Sequence, residues 1–462
     1  MIDFSSLLQP DRDEPAHSLH ALRKGDLEAW LGEQPQRVRV AVEAARFQAK
    51  PGEFVLLPDD DAAHWSAAVG LPEQPGPWDL APAVARLREG RYRLANADAG
   101  ASALGWLLAH YRFDRYRAKP DPLPLRVLLT REAARIDEWV EMAGAVALVR
   151  DLVNTPAADL GPAELEAAVR DVAKGFGAQV TTTEGDALDD GYPMIAAVGR
   201  AATTDRSPRL VELEWGEPAH PRVAIVGKGV CFDSGGLNLK PGSSMNLMKK
   251  DMGGAAHALA LARLVMAARL PVRLHLLIPA VEDAGAGAAF RPRGIPARRK
   301  GLAGGIGNTH AEGRLILGDA LARAAEEKPE LLIDFATLTG AARVALGPAL
   351  PALFANDETL AADLAAATAE AADPLWRLPL WGDYADMLKS DVADINNAGE
   401  GGMAGAITAA LFLQKFVPAD LPWAHMDTFA WMPTAKPGRP KGGEALGLRA
   451  AWQMLRTRYR PL

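Results

Sequence analysis

Three short segments place charged residues where apolar strands should end. The first, VGKGVCFDSGGLNLKPGSSMNLMKKDMGG, runs from Val226 to Gly254. Lys228 and Asp233 close a strongly apolar run there, followed by the paired glycines Gly235 and Gly236, then Lys240 and Asp251. The second, NTHAEGRL (Asn308–Leu315), sets His310, Glu312 and Arg314 at alternate positions. The third, DFATLTGA (Asp334–Ala341), ends an apolar strand on a threonine-glycine turn. Singly, each residue has a plain structural reading. Asp233 or Lys228 could be half of an ion pair, His310 a satisfied loop histidine, Cys231 a small buried residue. Brought together, three carboxylates, a histidine and two lysines would repel or lie unpaired without a cation. Hard divalent ions need several oxygen ligands, and two ions bridged by shared carboxylates need this density. A lysine can ligate only as the neutral amine, which burial and a nearby cation favour. Glycines 235, 236, 253 and 254 permit turns and close approach around such a cluster.

The elements that must position these residues alternate in type. Strands are expected at Met194–Gly199, Leu210–Trp215, Arg222–Phe232, Val272–Val281, Glu330–Leu338 and Pro422–Thr428. Helical spacing falls between them at Gly253–Leu270 and Gly313–Glu327. This alternation predicts an α/β domain with helices on both faces of a largely parallel sheet, whose chemistry gathers at the carboxyl ends of strands. Before it, Val38–Phe47 and Glu53–Pro58 read as strands and Ala101–Tyr116 as a helix. The proline cluster Lys119–Pro124 suits a domain edge, and Glu132–Val153 suits one long helix stopped by Asn154-Thr155-Pro156. The expected division is an N-terminal α/β domain over 1–125, a linking helix over 126–154 and a catalytic domain over 155–462.

The 462 residues exceed what a single hydrophobic core usually serves. Asp and Glu number 58 against 51 Lys and Arg, a formal net charge of −7. That balance argues against a general nucleic-acid or membrane-surface binder, and the basic stretch Arg291–Lys300 reads as a solvated loop. One cysteine allows no internal disulfide and fits a reducing compartment, and the N-terminus lacks the pattern of a secretory signal. A cytoplasmic location is therefore expected. No apolar stretch is clean enough over roughly 20 residues to span a membrane.

The three charged segments resemble the leucyl aminopeptidase, or cytosol aminopeptidase, family. NTHAEGRL is similar to the family signature NTDAEGRL, and residues 226–254 follow the family's VGKG, FDSGG, KP and DM run in order and spacing. Arg150–Ala157, Tyr111–Arg117, Ser390–Asn397, Ala404–Val417 and Trp423–Asp427 also look like family segments, so the likeness spans about Ala101 to Gly447. The resemblance implies a small α/β N-terminal domain on a larger α/β catalytic domain with a central, largely parallel sheet, assembled as a homohexamer. It implies that Lys228, Asp233, Asp251, His310 and Glu312 hold two divalent ions, Zn²⁺ or Mn²⁺, and that Lys240 and Arg314 are catalytic. Met248, Asn308, Thr337, Leu338 and Gly340 would border a peptide substrate. The two ions would activate water and take the free α-amine, Lys240 would stabilise the oxyanion, and Arg314 would hold a bicarbonate that shuttles a proton. There are two departures. His310 replaces an Asp, so an imidazole ligand and a shift from Mn²⁺ toward Zn²⁺ are expected. The segment Arg291–Gly307 has lost the family's RPGD and its strand pattern. The rival reading is a family-like hexamer without turnover that serves as a binding or scaffold protein.

Overall fold

The computed structural model describes residues 2–61, 64–291, 294, 299, 304–399 and 401–460. Most of the altered segment Arg291–Gly307, including most of the basic stretch read as a loop, lies outside the described residues. The chain divides into two compact units. One comprises residues 1–147 and 434–441, the other 148–433 and 442–462. The division falls within the helix Ile136–Asn154, which follows a short turn at Ala133–Arg135.

The first unit carries six strands: β1 (Leu8–Pro10), β2 (His17–Arg23), β3 (Phe54–Pro58), β4 (Trp65–Leu71), β5 (Gly90–Leu94) and β6 (Arg126–Thr130). They form one sheet in the order β1-β6-β5-β2-β4-β3, parallel except for the edge strand β3. The expected strand at Val38–Phe47 is instead the helix Gln36–Ala44. Its valines alternate with other residues, yet only Val38 and Val42 are buried, four apart, while Val40 is 50% exposed. That spacing is helical, and Pro35 at the N-cap starts the turn. The helix expected over Ala101–Tyr116 is confined to Ser102–Leu108.

The second unit is built on β7 (Gln179–Glu184), β8 (Arg209–Trp215), β9 (Arg222–Gly227), β10 (Gly229–Asp233), β11 (Arg273–Asp283), β12 (Gly304–Gly305), β13 (Leu331–Ala336), β14 (Ala352–Ala355), β15 (Trp376–Arg377), β16 (Ile395–Asn396), β17 (Trp423–Asp427), β18 (Trp431–Met432) and β19 (Gly442–Gly443). The main sheet runs β15-β14-β17-β13-β9-β11-β8-β7, with β10 also on β11. Its centre, β17, β13, β9 and β11, is parallel, and antiparallel pairs occur only toward the edges. β13 and β17 are buried from end to end, and β9 and β11 are buried apart from Arg222, Arg273 and Glu282, as parallel strands covered on both faces should be. The helix Gly253–Ala267 packs with Pro162–Phe176 and Leu448–Arg458, and Glu312–Glu326 packs with Pro193–Gly199 and Gly405–Gln414. Residues Met194–Gly199, expected as a strand, are part of the helix Pro193–Gly199. Pro193 opens it at its first position, and the Asp319 carboxylate accepts from the Met194 and Ile195 amides at 2.8 and 3.3 Å. Among the described residues no helix is long and apolar enough to cross a membrane.

Candidate metal centre

The apolar run Arg222–Phe232 is not one strand, because it breaks at Lys228. β9 pairs with the first half of β11, and β10 resumes on the second half. At the break the Lys228 amide donates to the Phe335 carbonyl (3.0 Å), and the Lys228 carbonyl accepts from the Ala255 amide (2.8 Å). Lys228 is thus fixed between two strands and the start of a helix. A bulge at Cys231 then shifts the register by one, so Asp233 lies directly opposite Asp283, the last residue of β11. Gly235 and Gly236 follow with φ of 90° and 64°, a left-handed turn that side chains resist. The turn folds the Gly235 amide back onto the Asp233 carboxylate at 2.8 Å.

The signature segment enters from the other side. The side chain of Asn397, just after β16, accepts from the amides of Gly307 and Asn308 (2.7 and 3.1 Å) and donates to the Asn308 carbonyl (2.8 Å). A short turn, Thr309–Ala311, leads directly into the helix Glu312–Glu326. Gly313 is required here, since a Cβ would stand 2.6 Å from the Lys228 ammonium. The Thr337–Gly340 turn after β13 is held by Asp427, at the end of β17. Its carboxylate accepts from the Leu338 and Thr339 amides (2.9 and 3.2 Å) and the Thr339 hydroxyl (2.6 Å).

The result is a buried cluster of opposed charges. Lys228 Nζ lies 2.7 Å from Asp251 Oδ2 and 3.0 Å from Glu312 Oε1, and it donates to the Thr337 carbonyl at 3.2 Å. Lys240 Nζ lies 2.8 Å from Asp233 Oδ2. Thr337 Oγ1 donates to Asp251 at 2.9 Å. Lys228, Asp233, Asp251, Asp283 and Glu312 are each no more than 3% exposed. Burial disfavours the charged Lys228, but Asp251 and Glu312 outweigh it and hold the ammonium charged. Asp251 titrates below the usual carboxylate range, because its lysine neighbours overcome burial. Burial and repulsion from Asp251 raise Asp233. Burial, then repulsion from Asp233, pushes Glu312 up to about 7. Burial, then repulsion from Glu312 and Asp233, pushes Asp283 up to about 9. Among the described residues, no donor reaches Glu312 Oε2 or either Asp283 oxygen. A buried carboxylate without a donor is costly, and a divalent cation is the group this donor set lacks. The residues therefore fit a metal.

A cavity of about 270 Å³ opens onto the cluster. Lys228, Asp233, Lys240, Met248, Asp251, His310, Glu312, Thr337, Leu338 and Gly340 line it, so ten of the twelve residues singled out by sequence meet in one place. Asn308 and Arg314 are not among the residues that line it. Asn308 accepts from the His310 amide at 2.9 Å. Arg314 donates from Nη1 to the Asn397 carbonyl at 2.6 Å, leaves Nε without a partner, and is lowered to about 10 by burial. The ring of His310 does not join the carboxylates, because its Nε2 faces the Asn238 carbonyl. Sequence reasoning missed Asp283, Asp427, Asn397 and the buried Lys250, whose Nζ is 3.4 Å from Asp251. The first two sit at strand ends, as Asp233 does, and that rule applied to every strand would have found them.

A largely parallel sheet with a buried, over-charged carboxylate cluster along its carboxyl edge defines an α/β protein with a candidate metal centre. The family model described as cytosol aminopeptidase family, catalytic domain, matches residues 147–451, and that of the M17 aminopeptidase N-terminal domain matches residues 18–129. A probable cytosol aminopeptidase of Syntrophotalea carbinolica is 42% identical over 368 residues, which is 76% of this chain and 73% of the relative. The crystal structure of cytosol aminopeptidase from Coxiella burnetii superposes with a TM-score of 0.94 at 46% identity, covering 98% of this chain and 99% of that one. The bottromycin maturation enzyme BotP in complex with Mn superposes at 0.87 with 33% identity, covering 97% and 100%. The chain belongs to the cytosol aminopeptidase family and is an aminopeptidase. The reading as a scaffold without turnover falls with that. The likeness also reaches far earlier than Ala101, since the N-terminal model begins at residue 18.

Proposed function

We propose that this aminopeptidase removes the first residue of unblocked peptides at a two-ion site formed by Lys228, Asp233, Asp251 and Glu312. The observation that carries this is the excess of buried carboxylate at the strand ends, with oxygens that no donor reaches. Divalent ions bound there, Mn²⁺ or Zn²⁺, would supply Lewis acidity and a water made nucleophilic near neutral pH. To ligate, Lys228 has to release its proton and its pairing with Asp251 and Glu312, for which an incoming cation would substitute. His310 joins the set only if its ring gives up the Asn238 carbonyl.

The chain's own groups do the rest. Lys240, kept cationic beside Asp233, reaches into the cavity and stabilises negative charge on the carbonyl oxygen of the scissile bond. Arg314 is far too basic to take a proton itself. Its partnerless Nε suits an anion such as bicarbonate, which would serve as the proton shuttle. Met248, Thr337, Leu338 and Gly340 border the substrate from the cavity wall. Asn308 caps the signature turn through the His310 amide. A free α-amine is required because a cation site, not a proton donor, waits for it. The proposed setting is a homohexamer in the cytoplasm, in line with relatives named cytosol aminopeptidases. Light scattering of the purified protein tests the hexamer.

The test of the reaction is hydrolysis of a leucine peptide and its N-acetyl form by chelator-treated protein, with and without added Mn²⁺ or Zn²⁺. Turnover of the free peptide alone, and only with metal, is expected. Equal rates on both peptides would sink the amine-binding step.

A further inference from the structure

The roles above leave one buried carboxylate without a task. Asp283 ends β11 beside Asp233, in the register that the bulge at Cys231 sets. It is wholly buried, and among the described residues no donor reaches either of its oxygens. Its backbone is anchored, since the Asp283 carbonyl accepts from the Ser234 amide (3.0 Å) and the Ser234 hydroxyl (2.7 Å). Oxygens of Asp233, Asp283 and Glu312 lie within 4.8 Å of one another. Ligands about 2.1 Å from a common ion stand at most about 4.2 Å apart, so a small closure suffices. The other carboxylates here have cations: Asp233 has Lys240, while Asp251 and Glu312 have Lys228. Among the described residues, Asp283 pairs with neither lysine of the cluster, and its neighbouring acid is the Asp233 carboxyl. Meanwhile the imidazole at position 310 faces the Asn238 carbonyl.

We propose that Asp283 is a direct metal ligand, which gives one ion of the site the carboxylate that position 310 lacks. The inference rests on the metal-site reading above and extends its ligand set. It also reverses the metal preference expected from an imidazole. With Asp233, Asp283 and Glu312 that ion meets only carboxylate oxygens, which suit Mn²⁺ and Mg²⁺ better than Zn²⁺. The rival is that Asp283 stays a neutral acid, sharing a proton with Asp233 whether or not metal is present.

The experiment compares wild type with the near-isosteric Asp283→Asn, each stripped by chelator and titrated with Mn²⁺. Free ion is followed by electron paramagnetic resonance, and bound ion by elemental analysis. Wild type should take up two ions per chain. Asp283→Asn should keep one and bind the other at least about tenfold more weakly, as even outer-shell changes do. Two ions bound by the variant with wild-type affinity would overturn the proposal alone. No ion bound by wild type would overturn the metal-site reading itself. If the variant does not fold, Mn²⁺-soaked wild-type crystals decide the matter. An anomalous peak within coordination distance of Asp283 supports the assignment, and one bonded to Asp233 and Glu312 but not to Asp283 refutes it.

Discussion

Two buried carboxylate sites in the same unit differ in what surrounds them. Asp334 sits within β13, and both its oxygens are satisfied: His425 Nδ1 lies 2.6 Å from one, and Trp423 Nε1 donates to the other at 2.8 Å. Glu444 is matched in the same way, with Arg150 on both oxygens at 3.1 to 3.3 Å and the Ala445 amide at 3.0 Å. At the carboxyl edge, by contrast, Asp233, Asp251, Asp283 and Glu312 crowd together, and among the described residues three oxygens of Asp283 and Glu312 have no donor. Chain folding alone does not neutralise the edge cluster, whereas it fully neutralises the interior one. Burial is therefore not the mark of a functional carboxylate; burial without a matching donor is.

The sharpest way to break this comparison is to disturb the matched site. Asp334→Ala leaves His425 and Trp423 without their acceptor and should cost about 3–5 kcal/mol of stability in urea unfolding. Metal uptake per folded chain should be unchanged. Loss of metal in that variant would show the two sites to be one network. Next in size, Lys240→Ala should lower kcat by about 10²-fold or more with an unchanged circular dichroism spectrum, as for loss of an oxyanion donor. Near-normal kcat would make Lys240 a structural partner of Asp233.

A smaller effect is expected at the rim. Because the His310 ring faces the Asn238 carbonyl, His310→Asp should change half-saturation by Mn²⁺ less than the about 10-fold that outer-shell groups carry. A larger loss of Mn²⁺ affinity would place the ring among the ligands. The smallest effect concerns pH. Burial alone would lower His425, but the charge of Asp334 overcomes it, and the folded value is raised above 6.5. Its stabilisation is then fully present below pH 6.5 and is lost as pH rises through the higher folded value. The melting temperature should fall over that window in wild type, and Asp334→Asn should flatten the fall.

Much of the centre was legible in sequence because charges at the ends of apolar runs are unusual. The segments with Lys228, Asp233, Asp251 and Glu312 converge as their types suggested. Strand identity was less legible where the pattern is degenerate. Val38–Phe47 alternates like a strand but buries Val38 and Val42 on a helical face. Met194–Gly199 is apolar throughout, so periodicity is silent, and the helix depends on Asp319, 125 residues away in sequence from Met194. Asp283 was open to the strand-end rule, but its pairing with Asp233 is set by a one-residue bulge that no local pattern reveals. The direction of the His310 ring likewise depends on the Gly235–Gly236 turn that presents the Asn238 carbonyl.

The most direct test of the central claim, that the edge cluster is neutralised by cations, is thermal unfolding of chelator-treated wild type across a Mn²⁺ titration. An ion that binds only the folded chain stabilises it by about 2.7 kcal/mol per site at 100 times its Kd. The melting temperature should rise steadily with Mn²⁺, with about two ions bound per chain at saturation. An unchanged melting temperature with no bound Mn²⁺ would contradict the claim.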